Sequence, residues 1–478
     1  MNDNFYLDPG SETYRQVIFD VIRIFYPEFE WAENTGQAKR VVLEKKADCW
    51  RIFFGTAEAE FSVEGLDENE CRRCLKQQIY SLFTGQEQQK GSQWGIMTGI
   101  RPTKIVHRLW DQKKTEEEIR VFLQEEYLTS PEKTELLLDV TKRQRPFLLS
   151  SEEARKKVSL YLSIPFCPTR CAYCSFPSFT LPKPEKQDRY VDYLIKESLA
   201  VTEALKKAGK TVQTVYIGGG TPTSLSAGQL DRLLTELRNM LPPSDLEEFT
   251  VEAGRPDTIT EEKLQILHDH GVGRISINPQ SFSQKTLDRV GRKHTVAETE
   301  AVYHMARAVG FDSVNMDLIA GLNGETVEDF AHTLSRIHAL KPENLTVHTL
   351  AIKKKAALHN QKVGEDHAER VNGMYAFLSE WLKGEDYQPY YLYRQKHMVG
   401  EGENTGFCLP GKESLYNIQM MEERQTIFGL GVGSASKFVN ADDWTLHQKS
   451  NPKDLFFYEE RIDELIARKL KEIEELSR

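Results

Sequence analysis

Ile164-Pro-Phe-Cys-Pro-Thr-Arg-Cys-Ala-Tyr-Cys-Ser-Phe176 places three cysteines, Cys167, Cys171 and Cys174, within eight residues. A C-x3-C-x2-C triplet suits a [4Fe–4S] cluster, because three thiolates hold three irons and leave the fourth open to an outside ligand. An open iron is a reaction site. Structural zinc normally takes four ligands, often as two short C-x2-C pairs, and no complementary pair lies nearby. Seven cysteines in 478 residues, with no signal-peptide pattern, read as a reduced intracellular chain rather than a disulfide framework.

The spacing and its setting resemble the radical S-adenosylmethionine (SAM) superfamily, whose cluster motif follows the first strand of a partial (β/α) barrel. The resemblance implies two cofactors, the [4Fe–4S] cluster and SAM. The amino and carboxylate groups of SAM chelate the open iron in that chemistry, and an electron from the cluster cleaves the sulfonium to give a 5′-deoxyadenosyl radical.

Outward from the cysteines, strand and helix patterns alternate, the signature of a parallel α/β sheet or barrel. The expected strands are 158–164, 212–217, 249–252, 274–278, 313–318 and 344–350. Six βα steps are too few for a closed eight-stranded barrel, so the fold class is α/β with an open, partial (β/α)6 barrel. Active sites of barrels gather at the carboxyl ends of the strands. Strand one ends at the cysteines. Strand two runs into Gly218-Gly-Gly-Thr-Pro222, where residues without a Cβ let backbone amides approach a ligand. No Gly-Lys-Ser/Thr follows, which argues against a nucleotide P-loop. Strand three ends in Glu252, a carboxylate suited to an adenosine hydroxyl or an ammonium group. Strand four leads to Gln280 and Arg292, strand five carries Asp317, and strand six reaches Ala351. Each alone reads equally as a solvated polar residue, but their recurrence on one rim makes chance a poor explanation.

This order resembles, position by position, the oxygen-independent coproporphyrinogen III oxidases. The resemblance implies that Tyr161, six residues before the first cluster cysteine, contacts SAM, as does Tyr173. Gly219, Gly220 and Thr221 correspond to the SAM cradle, and Glu252 to the SAM-binding glutamate; Tyr161 and Glu252 are the residues it marks for catalysis. A second set, Gln280, Arg292, Asp317 and Ala351, corresponds to a second SAM position. Val251-Glu-Ala-Gly-Arg-Pro-Asp257, Tyr390-Tyr-Leu-Tyr-Arg-Gln-Lys396, Pro410-Gly-Lys-Glu-Ser-Leu-Tyr-Asn417 and the segment 94–104 look like the HemZ-type coproporphyrinogen dehydrogenases. The implied reaction is oxidative decarboxylation of coproporphyrinogen III to protoporphyrinogen IX in heme biosynthesis. One departure is Phe176, which stands where family members with oxidase activity carry a fourth cysteine. Related heme chaperones also lack that cysteine, so a heme-binding chaperone without oxidase activity is the alternative. Against it, His359-Asn360 is not followed by the aromatic pair of the chaperones' heme motif.

Composition bounds the rest. A net charge of −10 argues against a general nucleic-acid binder, and no apolar stretch approaches the roughly 20 residues that span a bilayer, so the cytoplasm is the expected setting. The expected partners are a tetrapyrrole substrate and an electron donor such as flavodoxin or ferredoxin.

Three domains are expected. Residues 1–150 read as an N-terminal α+β domain, with β-rich runs at 41–43 and 50–54 and helical patterns at 68–83 and 115–127. Cys71 and Cys74 fall within a helix and read as incidental. The Trp94 to Lys104 segment reads either as a surface loop or as an anion contact, and the charged stretch 142–157 as a linker. Residues 151–355 form the partial barrel. Residues 356–478 form a mixed or helical C-terminal extension covering the substrate.

A four-carboxylate substrate needs cations beside flat apolar surfaces. Tyr391, Arg394 and Lys396 are candidates, although their run reads equally as a strand with packed tyrosines and solvated cations. The lysines at 353–355 are another candidate or a solvated face. His397 reads as a surface residue rather than a heme ligand. Gly429-Leu-Gly-Val-Gly-Ser434 lacks the setting of a dinucleotide loop and reads as a tight turn near the substrate pocket. An amphipathic helix from about 453, with Leu455, Tyr458, Ile462, Leu465 and Ile466 at helical spacing, should pack on the protein's own body.

Overall fold

Residues 158–164, Val-Ser-Leu-Tyr-Leu-Ser-Ile, alternate apolar and small or polar side chains, so a strand there presents an apolar face and a polar one. In the computed structural model that alternation organises the main sheet. The structure describes residues 4–476 apart from 27–28, 34–35, 37, 86–89, 99–100, 177, 242–243, 245, 352–365 and 396–397. Two units emerge: one holds the chain up to residue 141 together with Arg394 and Gln395, and the other holds the rest.

In the first unit β1 (Phe5–Leu7), β2 (Lys39–Lys45), β3 (Cys49–Phe54) and β4 (Ala57–Ser62) form a sheet in that order, β1 parallel to β2 and the others antiparallel. Val41, Leu43, Trp50, Ile52 and Phe54 share a core with Ile18 and Ile22 of helix Arg15–Phe25 and with Leu75, Ile79 and Phe83 of helix Glu68–Gly85. Cys71 lies in that core and Cys74 packs against it; burial pushes both thiols up, and they serve as small apolar side chains. Trp94, Ile96 and Met97 are buried, so this part of the 94–104 segment is interior rather than a surface loop. The charged stretch 142–157 begins where the two units divide, but part of it is helical. Helix Pro131–Gln144 runs into it, a 3-10 turn follows at Arg145–Phe147, and a reciprocal Ser150/Glu153 capping box starts helix Ser151–Lys156.

In the second unit β5 (Lys157–Ile164) leads into β6 (Phe166–Cys167), which pairs with β7 (Phe179–Thr180) so that the two strands bracket the cysteine loop. Next come β8 (Thr211–Gly219), β9 (Glu248–Glu252), β10 (Arg274–Ser276), β11 (Ser313–Ala320) and β12 (Asn344–Thr349). With β5 they lie side by side in chain order, all parallel. These are the six strands of the open partial barrel. Leu160, Leu162, Val215, Ile217, Val251, Ile275, Val314, Met316, Leu345 and Val347 point to the apolar side and share one core with the crossover helices.

The chain beyond 355 adds strands to both sides of this sheet. Its β13 (Gln388–Tyr393) and β14 (Asn404–Cys408) extend the sheet antiparallel beyond β12, while β15 (Thr426–Leu430) pairs in parallel with β5 and carries β16 (Ala435–Val439) and β17 (Leu446–Ser450). The result is an eleven-stranded sheet with β13 and β17 at its edges. Gly431 and Gly433, both with positive φ, make the β15–β16 turn that the glycine pattern implies. The expected C-terminal helix breaks at Arg461 into Leu455–Glu460 and Ile462–Glu475, the second packed along helix Pro184–Lys207.

Candidate active site

The polar side of the six strands forms a connected surface. Tyr216 Oη donates to Glu252 Oε1 (2.6 Å), Asn315 Nδ2 to Ser276 Oγ (2.9 Å) and to Asp317 Oδ1 (2.8 Å), and Thr346 Oγ1 to Asn315 Oδ1 (3.2 Å). His348 Nε2 lies 3.8 Å from Asp317 Oδ2. Tyr416 stacks on Tyr216 at 4.4 Å and on Tyr161 at 6.4 Å, held there because Glu248 accepts from Ser414 Oγ (2.9 Å) and the Leu415 (2.7 Å) and Tyr416 (3.2 Å) amides.

Two carboxylates on this surface titrate apart. Burial pushes Glu252 up to about 7, helped by the Asp317 charge and opposed by the bonds from Tyr216 and the Gly219 amide. Burial also works against the Asp317 charge, but His348, Asn315 and Thr346 outweigh it and hold Asp317 below the usual carboxylate range. Divergent environments of this kind separate a proton-holding group from a fixed charge. A carboxyl raised in the folded state stabilises the fold below its unfolded pKa near 4.5, and that contribution is lost as pH rises through about 7. Keeping Glu252 ionised therefore costs on the order of 3–4 kcal/mol. Glu252→Gln should melt higher than the parent protein at pH 8 and show no such advantage at pH 5, in calorimetry without added ligands.

The cysteine loop meets the strand ends closely. Cys167 closes β6 with its Sγ 3.5 Å from Thr221 Oγ1, and Cys174 N–H closes a turn on Cys171 O (3.1 Å). All three thiols are free and half-buried, and burial pushes those of Cys167 and Cys174 up. The Gly220 and Thr221 amides donate to Ile164 O (2.7 Å) and Phe166 O (2.8 Å), so here the glycine run clamps the loop instead of leaving these amides open. Only glycine allows this approach: a Cβ on Gly220 would lie 2.6 Å from Phe166 O, and Gly219 has φ +111°. Tyr173 packs with Ala172 against Val290, Ile319, Leu322 and Leu350, and its hydroxyl accepts from Arg292 Nη1 (3.2 Å).

Among the strand-end residues, Gln280 holds a left-handed backbone (φ 67°), its amide donating to Asp317 O (2.9 Å). Its Oε1 and the Nε of Arg292 are buried without partners among the described residues. Ala351 bridges to Met398 beyond β12. Three free thiols on one loop, two unpartnered buried polar atoms and a carboxyl poised near neutrality are a donor set with unmet capacity. They fit a cluster held by three thiolates and a polar ligand lying over the strand ends. Among the described residues, no three His, Cys, Asp or Glu side chains close on a single-ion position.

The substrate candidates separate. Tyr391 is buried beside the polar surface, its hydroxyl 3.1 Å from Thr346 Oγ1. Arg394 belongs to the first unit, where its guanidinium lies 5.0 Å from the Trp94 ring and donates to Met97 O (2.7 Å). Lys396, His397, the lysines at 353–355 and His359-Asn360 lie outside the described residues. Residues missed in the sequence reading include Tyr216, His348, Tyr416 and Arg255. The first two could have been found from the strand alternation, which puts every second residue on the polar side.

A model of the radical SAM superfamily matches residues 161–337. The oxygen-independent coproporphyrinogen-III oxidase-like protein HemZ of Bacillus subtilis (strain 168) is 44% identical over 389 residues, covering 80% of this chain and 77% of that protein. This chain belongs to the HemN/HemZ family of the radical SAM superfamily. Also similar are the heme chaperone HemW of B. subtilis, 32% identical over 282 residues (58% of this chain, 70% of that protein), and the solved coproporphyrinogen III oxidase HemN from Escherichia coli. The latter superposes with a TM-score of 0.54 at 26% identity, over 66% of this chain and 70% of that one. Family membership implies the [4Fe–4S] cluster and SAM, matching the donor set above. No helix among the described residues is long and apolar enough to cross a membrane.

Proposed function

We propose that this protein is a radical SAM enzyme that converts coproporphyrinogen III to protoporphyrinogen IX without oxygen, in the cytoplasm, with electrons from a carrier such as flavodoxin or ferredoxin. The observation that carries the reading is the junction of the cysteine loop with the polar strand ends, supported by the relatedness to HemZ and HemN. Cys167, Cys171 and Cys174 would hold the cluster, and Tyr161, Tyr173, Gly219, Gly220, Thr221 and Glu252 would surround SAM. Gln280, Arg292, Asp317 and Ala351 border a second position for SAM or substrate. When bound, the cluster and SAM supply the hydrogen-abstracting 5′-deoxyadenosyl radical.

The chain's own residues do the rest. Glu252, oriented by Tyr216, takes a hydrogen bond from a ligand hydroxyl or ammonium and exchanges its proton near neutral pH. Asp317, kept charged by His348, presents a fixed acceptor. The stacked Tyr161, Tyr216 and Tyr416 rings and Tyr391 give the polar side flat walls that limit water at the reacting centre.

Similarity to HemW, together with Phe176 two residues past Cys174, favours one second reading, a heme-binding chaperone. The deciding experiment reconstitutes the protein anaerobically and supplies reductant, SAM and coproporphyrinogen III. 5′-Deoxyadenosine together with protoporphyrinogen IX is the expected result. Deoxyadenosine without any vinyl product, accompanied by stoichiometric heme binding, would assign the chaperone instead.

A further inference from the structure

Arg255 lies three residues past Glu252, in Val251-Glu-Ala-Gly-Arg-Pro-Asp257, and is only 4% exposed. A buried guanidinium needs partners on all its edges. Asp257 closes one edge, accepting from Nε (2.9 Å) and Nη2 (2.7 Å). The remaining nitrogen turns to the cysteine loop, where Nη1 lies 3.1 Å from Thr169 Oγ1, 3.3 Å from Thr169 O and 3.8 Å from Cys171 Sγ. Thr258 Oγ1 anchors the Arg255 carbonyl (2.8 Å), and Arg292 Nη2 anchors that of Gly254 (2.7 Å), so the backbone beneath the side chain is fixed as well.

We propose that Arg255 is a positioning residue that fixes Cys171 and raises the reduction potential of the cluster bound by the triplet, while Asp257 moderates its charge. The inference rests on the cluster assignment made above. An N–H donor at a ligating sulfur favours the reduced, more negative cluster, and hydrogen bonds to the sulfurs are among the levers that set such potentials. A guanidinium does not deprotonate, so the effect persists across the working pH range. Lysine at this place keeps the charge but lacks the fork that serves Asp257 and Cys171 together.

The test is a potentiometric titration of the reconstituted full-length protein, followed by EPR without SAM. Arg255→Met should shift the reduction equilibrium at least tenfold toward the oxidised cluster, about 59 mV more negative for one electron. Asp257→Asn, which leaves Arg255 in place and removes the moderating charge, should shift it the other way. Arg255→Lys should fall between Arg255→Met and the parent. A merely structural brace would lower iron content without producing shifts of opposite sign. Clusters with unchanged potentials in all variants overturn the proposal. Failure of the parent protein itself to take up iron and sulfide overturns the cluster assignment, and the proposal with it. Should Arg255→Met not fold, the sign of the Asp257→Asn shift decides alone.

Discussion

Cys171→Ala should abolish 5′-deoxyadenosine formation and remove the visible iron–sulfur absorbance of the reconstituted protein, while its melting temperature should stay within a few degrees of the parent. The chemistry needs three thiolates and one open iron; with two thiolates left, a second iron loses its protein ligand and the cluster is no longer held. Position makes Cys171 the most informative of the three. Its carbonyl closes the turn to Cys174 and its sulfur faces the Arg255 guanidinium, so it is fixed from both sides. Phe176→Ala is the contrasting variant. Its ring is 66% exposed and outside the triplet, so it should retain SAM cleavage, whatever it does to the tetrapyrrole step. Iron and sulfide content and anaerobic product analysis read both variants. Full SAM cleavage by Cys171→Ala would end the cluster assignment.

How much of this was legible in the chain depends on whether the signal was local. The six strands were, because each is a short alternating run between helical patterns. So were the cysteine loop and the glycine run, whose chemistry is carried by residue type at fixed spacing. The polar surface was legible in principle: residues such as Tyr161, Tyr216, Glu252, Asn315, Asp317 and His348 occupy alternate strand positions, and pairing alone brings them to one side. What local pattern could not give is the placement of chain segments far apart in sequence. Nothing around 426–430 says that this strand pairs with β5 rather than with its neighbours in sequence, since a parallel partner is chosen by the whole sheet. Arg394 is similar. A cation after a tyrosine-rich strand reads as a substrate contact, and only the fold shows it lying over Trp94 and bonded to Met97 O. The stretch 142–157 is a different case: the two units divide where it begins, but its charge hides the Ser150/Glu153 capping signal that makes part of it a helix.

Glu197→Ala should be the most destabilising single change remote from the site, by ~3–5 kcal/mol, because it strands a buried ammonium. The Glu197 side chain is fully buried and its partner Lys469 nearly so; Lys469 Nζ lies 2.8 Å from Oε1. Three further donors converge on the same carboxylate: Asn451 Nδ2 (3.0 Å) on Oε1, and Tyr458 Oη (2.8 Å) and the Gly431 amide (2.7 Å) on Oε2. Burial lowers the Lys469 pKa, opposed by the Glu197 charge, so deleting Glu197 leaves that lysine desolvated and without its counter-charge, with the neutral Asn451 Oδ1 (2.7 Å) still accepting from it. Lys469→Met should cost less, since the carboxylate keeps three hydrogen bonds, and the double variant should be no worse than Glu197→Ala alone. Thermal melts of the three variants give the coupling. The effect also reaches the cysteine loop. Val432 N–H donates to Tyr190 Oη (3.2 Å), and Tyr190 in turn donates to Ser163 O, one residue before the end of β5. A loosened β15–β16 turn therefore frees the strand that launches Cys167, and Glu197→Ala should take up less iron on reconstitution even at temperatures where it remains folded.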